Sequence, residues 1–85
     1  MDGREMKALK GLESKIKYIY PLLTMMTILK VSQRHLATLS GIDLPTIRKM
    51  IRIPSHGSEE QFEKLLNALL DYENKLKEEF PEYGY

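Results

Sequence analysis

The chain reads as an all-α domain, a compact bundle of about five helices, on three observations. Apolar residues recur at spacings of three and four through most of the 85 residues, the period of one helix face. Strand signals are few: no Asn-Gly or Asp-Gly turn joins alternating runs, and β-branched residues are scattered. Residues that start and stop helices stand at the ends of the periodic segments, with Ser32, Asp43 and Ser58 ahead of them and Gly41 and Pro81 behind. The length suits a single domain with a modest core. A composition of 42% hydrophobic and 29% charged residues is ordinary for a folded chain.

In chain order, Met6, Leu9, Leu12, Ile16 and Ile19 mark the first apolar face, and Lys7, Lys10, Lys15 and Lys17 mostly fall off it. Gly11 weakens this helix by about 1 kcal/mol relative to alanine. Proline is tolerated in a first turn but kinks an interior. Pro21 therefore predicts a first helix to about Tyr18 and a second from Pro21 to Lys30, with one kinked helix as the alternative. Leu22, Leu23, Met26 and Leu29 are the expected buried stripe of the second segment. Residues 1–19 are read as an N-terminal helical extension, and an extra helix, an arm or part of a dimer interface are all open to it.

Ser32 is a good N-cap for the segment Gln33-Arg34-His35-Leu36-Ala37-Thr38-Leu39. Gly41 stands where a left-handed residue ends a helix. Asp43 is expected to cap the next helix, with Leu44 and Pro45 in its first turn, where proline is acceptable. That helix should run to about Arg52, burying Ile47 and either Met50 or Ile51. Pro54-Ser55-His56-Gly57 is a loop by composition. Ser58 and Gln61 have the spacing of a capping box. Phe62, Leu65, Leu66, Leu69 and Leu70 then form an amphipathic stripe that Leu76 and Phe80 extend, so the last helix should reach about Glu79. The domain is placed at 20–80, and residues 81–85 are expected to fray.

Composition excludes several function classes. There is no cysteine, hence no disulfide, thiolate metal site or cysteine nucleophile. His35 and His56 are not at metal-ligand spacing, so neither a metal nor a cofactor is expected. No Gly-rich phosphate loop appears. No nucleophile–base–orienter set can be assembled, and the chain is not expected to be an enzyme. The start has no signal-peptide pattern, and the longest weakly polar stretch, Ile19 to Leu29, falls well short of the ~20 residues that span a bilayer. A cytoplasmic, nucleoid-associated protein without membrane contact is expected. Net charge is +1, but residues 1–57 carry ten Lys/Arg against four Asp/Glu, while residues 58–85 carry three Lys against eight Asp/Glu. One end could face a polyanion that the other would repel.

The informative stretch is Val31 to Arg52. Two short helices meet at a Gly-containing corner, small Ala37 allows them to cross closely, and Leu36, Leu39, Ile42 and Ile47 fill the angle. This is the make-up of a helix-turn-helix. Val31-Ser32-Gln33, Leu36-Ala37, Gly41-Ile42 and Thr46-Ile47 resemble the lambda-repressor-like, Cro-type (XRE family) pattern over about residues 20–71. The resemblance implies a five-helix domain and a sequence-specific transcriptional regulator of the small-repressor kind. It would bind double-stranded DNA as a homodimer, inserting helix 43–52 into the major groove, as in phages, mobile elements and antitoxin modules. It also implies that Gln33 bonds a phosphate and that Leu44, Pro45, Thr46 and Lys49 read bases or touch the backbone. Arg34, Arg48 and Arg52 lie on or near that face. The far end of the last stripe, Leu69, Leu76 and Phe80, is the expected dimer interface. The chain departs from the family in having apolar Leu44 and Pro45 in the first turn, Ile51 and Ile53 where Glu and Gly are common, and acidic Asp43 near the phosphates. These departures motivate the alternative: a protein-binding adaptor, of antitoxin or anti-repressor type, that reuses the fold against a protein partner.

Overall fold

The computed structural model describes Leu12, Glu13 and residues 15–80. Among the described residues four α-helices follow one another: α1 Tyr20–Leu29, α2 Gln33–Ser40, α3 Leu44–Arg52 and α4 Glu59–Glu79. A π-helical turn at Lys15–Ile19 leads into α1, and a 3₁₀ turn at Pro54–His56 separates α3 from α4. There is no strand among the described residues. Met6, Leu9, Lys7 and Lys10 at the start, and the fraying expected of 81–85, lie outside the described residues.

Of the two alternatives at Pro21, a break or a continuous helix, the structure has the continuous path. Ile19 keeps right-handed helical geometry, φ −70° and ψ −46°, so the π turn runs straight into α1. Pro21 has no N–H, and its ring would collide with the carbonyl four residues back in a regular helix. The wider π turn just before it relieves that collision, which explains why the helical path continues through Pro21. The buried stripe shifts with it. Leu22 and Met26 are buried as expected, Ile19 joins them, Leu29 is half-buried, and Leu23 is exposed.

α1 ends in a Schellman turn. Lys30 takes left-handed geometry, φ 57°; its N–H bonds Thr27 O at 3.3 Å, and the Val31 N–H bonds Met26 O at 2.9 Å. Val31 and Met26, the two side chains such a turn brings together, are both buried. Ser32 then caps α2, its Oγ accepting from the His35 N–H at 3.0 Å. Gly41 ends α2 at φ 78°, donating to Ala37 O. Ser40 Oγ accepts from the Ile42 N–H at 3.1 Å and pins the corner before α3. Asp43 occupies the cap position of α3, but its side chain makes no cap bond. Its carboxylate accepts instead from the Thr46 hydroxyl at 2.7 Å, a charge-assisted bond that competes with the backbone N–H groups. The expected Asp43 cap is therefore corrected to a side-chain bridge.

α4 is the spine. Its start is set by the reciprocal box in which the Gln61 N–H bonds Ser58 Oγ at 3.1 Å and the Ser58 N–H bonds Gln61 Oε1 at 3.0 Å. Its buried residues are Phe62, Leu65 and Leu69. α4 packs against the π turn, α1 and α2, while α3 packs on α2. Ile47 and Met50 carry α3 into the common core, together with Leu22 and Leu36. Phe62 stacks on Tyr18 with ring centroids 4.8 Å apart and planes 3° from parallel. A second link closes the same joint: the Tyr18 hydroxyl donates to Glu59 Oε1 at 2.7 Å, and Lys17 Nζ reaches the same oxygen at 3.2 Å.

Those bonds set proton affinities. Glu59 is held below the ordinary carboxylate range, by the Tyr18 hydroxyl first and Lys17 second. The Tyr18 phenol is pushed up by its burial and then by the bond to Glu59, and Lys17 is raised by Tyr18 and Glu59. The Glu59 contribution is whole above the unfolded value of 4.5 and is lost as pH falls through the lower folded value. The Tyr18 contribution is whole below the unfolded value of 10.0 and is lost as pH rises through the higher folded one. Glu59→Gln should therefore flatten the acid limb: between pH 7 and about pH 3, its urea midpoint falls less than that of the wild type. An equal fall in both would remove Glu59 from the acid response.

Two glycines differ in their reason for being glycine. A Cβ on Gly57 would sit 2.7 Å from two ring carbons of Phe62 and 3.1 Å from Met50 Cγ, and both side chains are buried. A Cβ on Gly41 would meet nothing within 4 Å, and only its positive φ resists substitution. Gly57→Ala should cost roughly 1–3 kcal/mol through overpacking, Gly41→Ala about 1 kcal/mol through strain, and Lys30→Gly should relieve strain of similar size. Denaturant titration of the three variants checks the order; a neutral Gly57→Ala would contradict the packing.

Candidate nucleic-acid interface

α3 carries two opposed stripes. Ile47 and Met50, three residues apart, are buried. On the other side Pro45, Arg48, Lys49 and Arg52 are all exposed. They stand at i, i+3, i+4 and i+7, one face of a helix. The burial of Ile47 and Met50 therefore forces the three cations outward together. Two shallow adjoining clefts follow this face. One is lined by Pro45, Arg48, Lys49 and Arg52, the other by Gln33, Arg48, Ile51 and Arg52.

Among the described residues no acidic side chain pairs with Arg34, Arg48, Lys49 or Arg52. The like-charged pair Arg48 and Arg52, at i,i+4, weakens an isolated helix by a few tenths of a kcal/mol. An anion seated between them removes that cost. Gln33 is the first residue of α2, so the positive end of that helix dipole opens on the same cleft. The nearest carboxylate in sequence, Asp43, is held by Thr46.

The expected contact residues do not all gather here. Gln33, Pro45, Arg48, Lys49 and Arg52 line the two clefts. Ile51, one of the apolar positions that motivate the adaptor reading and not an expected DNA contact, lines one of them. Arg34 is exposed on α2 but lines neither. Leu44 and Thr46 are half-buried. The Thr46 proton is committed to Asp43, which leaves its oxygen as an acceptor only.

Elsewhere the expectations separate. Leu69 is fully buried between helices of one chain, so it is corrected from the dimer interface to the core. Its spacing from Phe62 and Leu65 puts it on the inward face of α4. Leu76 is half-buried and Phe80 exposed, near the far end of the helix. Lys17, one of the lysines that fall off the first apolar face, is paired with Glu59. His35 packs edge-on against Tyr72 with centroids 5.1 Å apart. No group of three or more His, Asp or Glu side chains able to hold a metal occurs among the described residues, and none of their helices is long and apolar enough to cross a membrane. The Tyr18–Glu59 bond was missed from the sequence because its partners are 41 residues apart and no spacing rule joins them.

No protein-family model, curated protein or solved structure matches this chain.

Proposed function

We propose that α2, the Gly41–Asp43 corner and α3 work as a helix-turn-helix that binds double-stranded DNA, with α3 in the major groove. The observation that carries the reading is the exposed Arg48–Lys49–Arg52 stripe, with no acidic partner among the described residues, opposite buried Ile47 and Met50. The compact corner supports it: a recognition helix must be held rigidly by a first helix that itself crosses the backbone. In this arrangement Gln33, Arg48 and Arg52 take phosphates. Lys49 reaches a guanine edge, and the open part of Leu44 packs on a thymine methyl. Thr46, an acceptor only, suits the amino group of adenine or cytosine. Bound at a promoter, such a protein acts as a small repressor by occupancy.

A second reading has one observation in its favour. Ile51 lines the cleft beside Gln33, so the same face offers apolar surface that DNA backbone does not need, and Ile53, just past the end of α3, is exposed. A protein-binding adaptor would use it.

Fluorescence anisotropy of the purified protein with DNA from upstream of its own gene, against an unrelated duplex, at about 50 and 200 mM salt separates the readings. Tight binding to the first, weak binding to the second and a steep loss with salt support the regulator. Equal, salt-sensitive binding makes a DNA protein without sequence preference, and no binding to either at micromolar protein favours the adaptor. Arg48→Ala with Arg52→Ala removes two phosphate contacts and should flatten the log–log salt slope by roughly 1.8 per protein, with helicity by circular dichroism unchanged. An unaltered slope would take these arginines off the phosphates.

A further inference from the structure

The basic face leaves one large exposed feature without a role. Leu12, Ile16, Tyr20 and Leu23 are 50%, 59%, 56% and 38% exposed. Tyr20, Leu23 and exposed Thr27 stand at intervals of three and four along α1, on one side of it, and Ile16 and Leu12 precede them at intervals of four. Ile28, 63% exposed, flanks them. α1 has no charged residue in its ten positions. The Thr27 hydroxyl is satisfied internally, donating to Leu23 O at 2.8 Å, so it asks nothing of a partner. Lys17, at the start, is turned away to Glu59.

A solvated helix ordinarily sets its charges on the face opposite its core. α1 does not. Half-exposed side chains of this size leave roughly 100 Å² each open. With Thr24 and Thr27 they supply on the order of 600 Å² per copy, at the lower end of what each partner contributes to a stable protein–protein interface and at the upper end of the apolar patch a monomer ordinarily leaves bare.

We propose that the chain pairs with a second copy of itself along the Leu12–Ile16–Tyr20–Leu23–Thr27 stripe. Over α1 the face offers a polyanion no cation and a charged peptide no countercharge; exposed Glu13 and Lys15 flank it only at the Leu12–Ile16 end. A second copy brings the same surface, and a two-fold contact sets a patch against itself, so the uncharged α1 part meets no like-charge repulsion across the axis. The three- and four-residue spacing is that of helices that pack side by side. α1 packs on α4 while α3 packs on α2, so pairing along α1 leaves the Arg48–Lys49–Arg52 stripe open. The pairing itself needs no DNA and is tested without it.

Sedimentation equilibrium of the full chain over roughly 5–200 μM should show the mass rising from 9.9 kDa toward about twice that value. Ile16→Glu and Leu23→Glu, both at exposed positions, should each weaken pairing by roughly 100-fold while keeping the helical circular dichroism. The chain contains no cysteine, so single-cysteine variants give clean crosslinks. Tyr20→Cys, at the middle of the stripe, should oxidise to a covalent dimer far faster than Asn67→Cys on the exposed side of α4. A monomer at every concentration would overturn the proposal. So would a dimer indifferent to both glutamates but lost with Phe80→Glu, or equal crosslinking at positions 20 and 67.

Discussion

The stack of Tyr18 on Phe62 is the contact on which the rest of the structure depends. It joins the segment that enters α1 to the first turn of α4, and the Tyr18–Glu59 bond locks the two from the outside. Phe62 also closes over Gly57, where no side chain fits, and thereby sets the path by which the chain leaves α3. Removing a buried ring of this kind costs about 3–5 kcal/mol, a large share of the stability of so small a domain. One aromatic residue thus ties three stretches of chain to a single point.

With that joint fixed, the orientation of α3 follows. α2 is held between a side-chain cap at Ser32 and a left-handed glycine at Gly41, the corner is pinned by Ser40, and Ile47 and Met50 enter the core beside Leu36. A nine-residue helix with two buried positions has one way to face, and the positions left outside are Pro45, Arg48, Lys49 and Arg52. The cationic stripe is therefore a consequence of core packing together with which residues occupy the remaining positions. The acidic α4 packs on α1 and α2, and α3 is left to present positive charge.

Much of this was legible before any coordinates, because it rests on local rules. The Ser32 cap, the Gly41 stop, the Ser58–Gln61 box and the inward Ile47 each depend on residues within a turn or two of one another, while the choice between Met50 and Ile51 stayed open. What stayed hidden depends on residues far apart or on competition for one group. Pro21 leaves a stop and a kinked helix both open, and the π turn before it lets the helix continue. Asp43 reads as a cap, but the Thr46 hydroxyl takes its carboxylate. Leu69 reads as spare surface on a long stripe, but α1 and α2 pack onto α4 and bury it. Leu23 reads as core by period alone, because the pattern of α1 is apolar all round and cannot say which side faces in.

The central claim is that the α3 face, and not another surface, meets DNA. It is tested most directly by titrating ¹⁵N-labelled protein with a short duplex at low salt and following its amide resonances. The account predicts that the largest shifts and broadenings fall on Gln33 and on 44–52, with α1 and the acidic length of α4 unmoved. Perturbations centred on α1 or α4, with 44–52 silent, would contradict it.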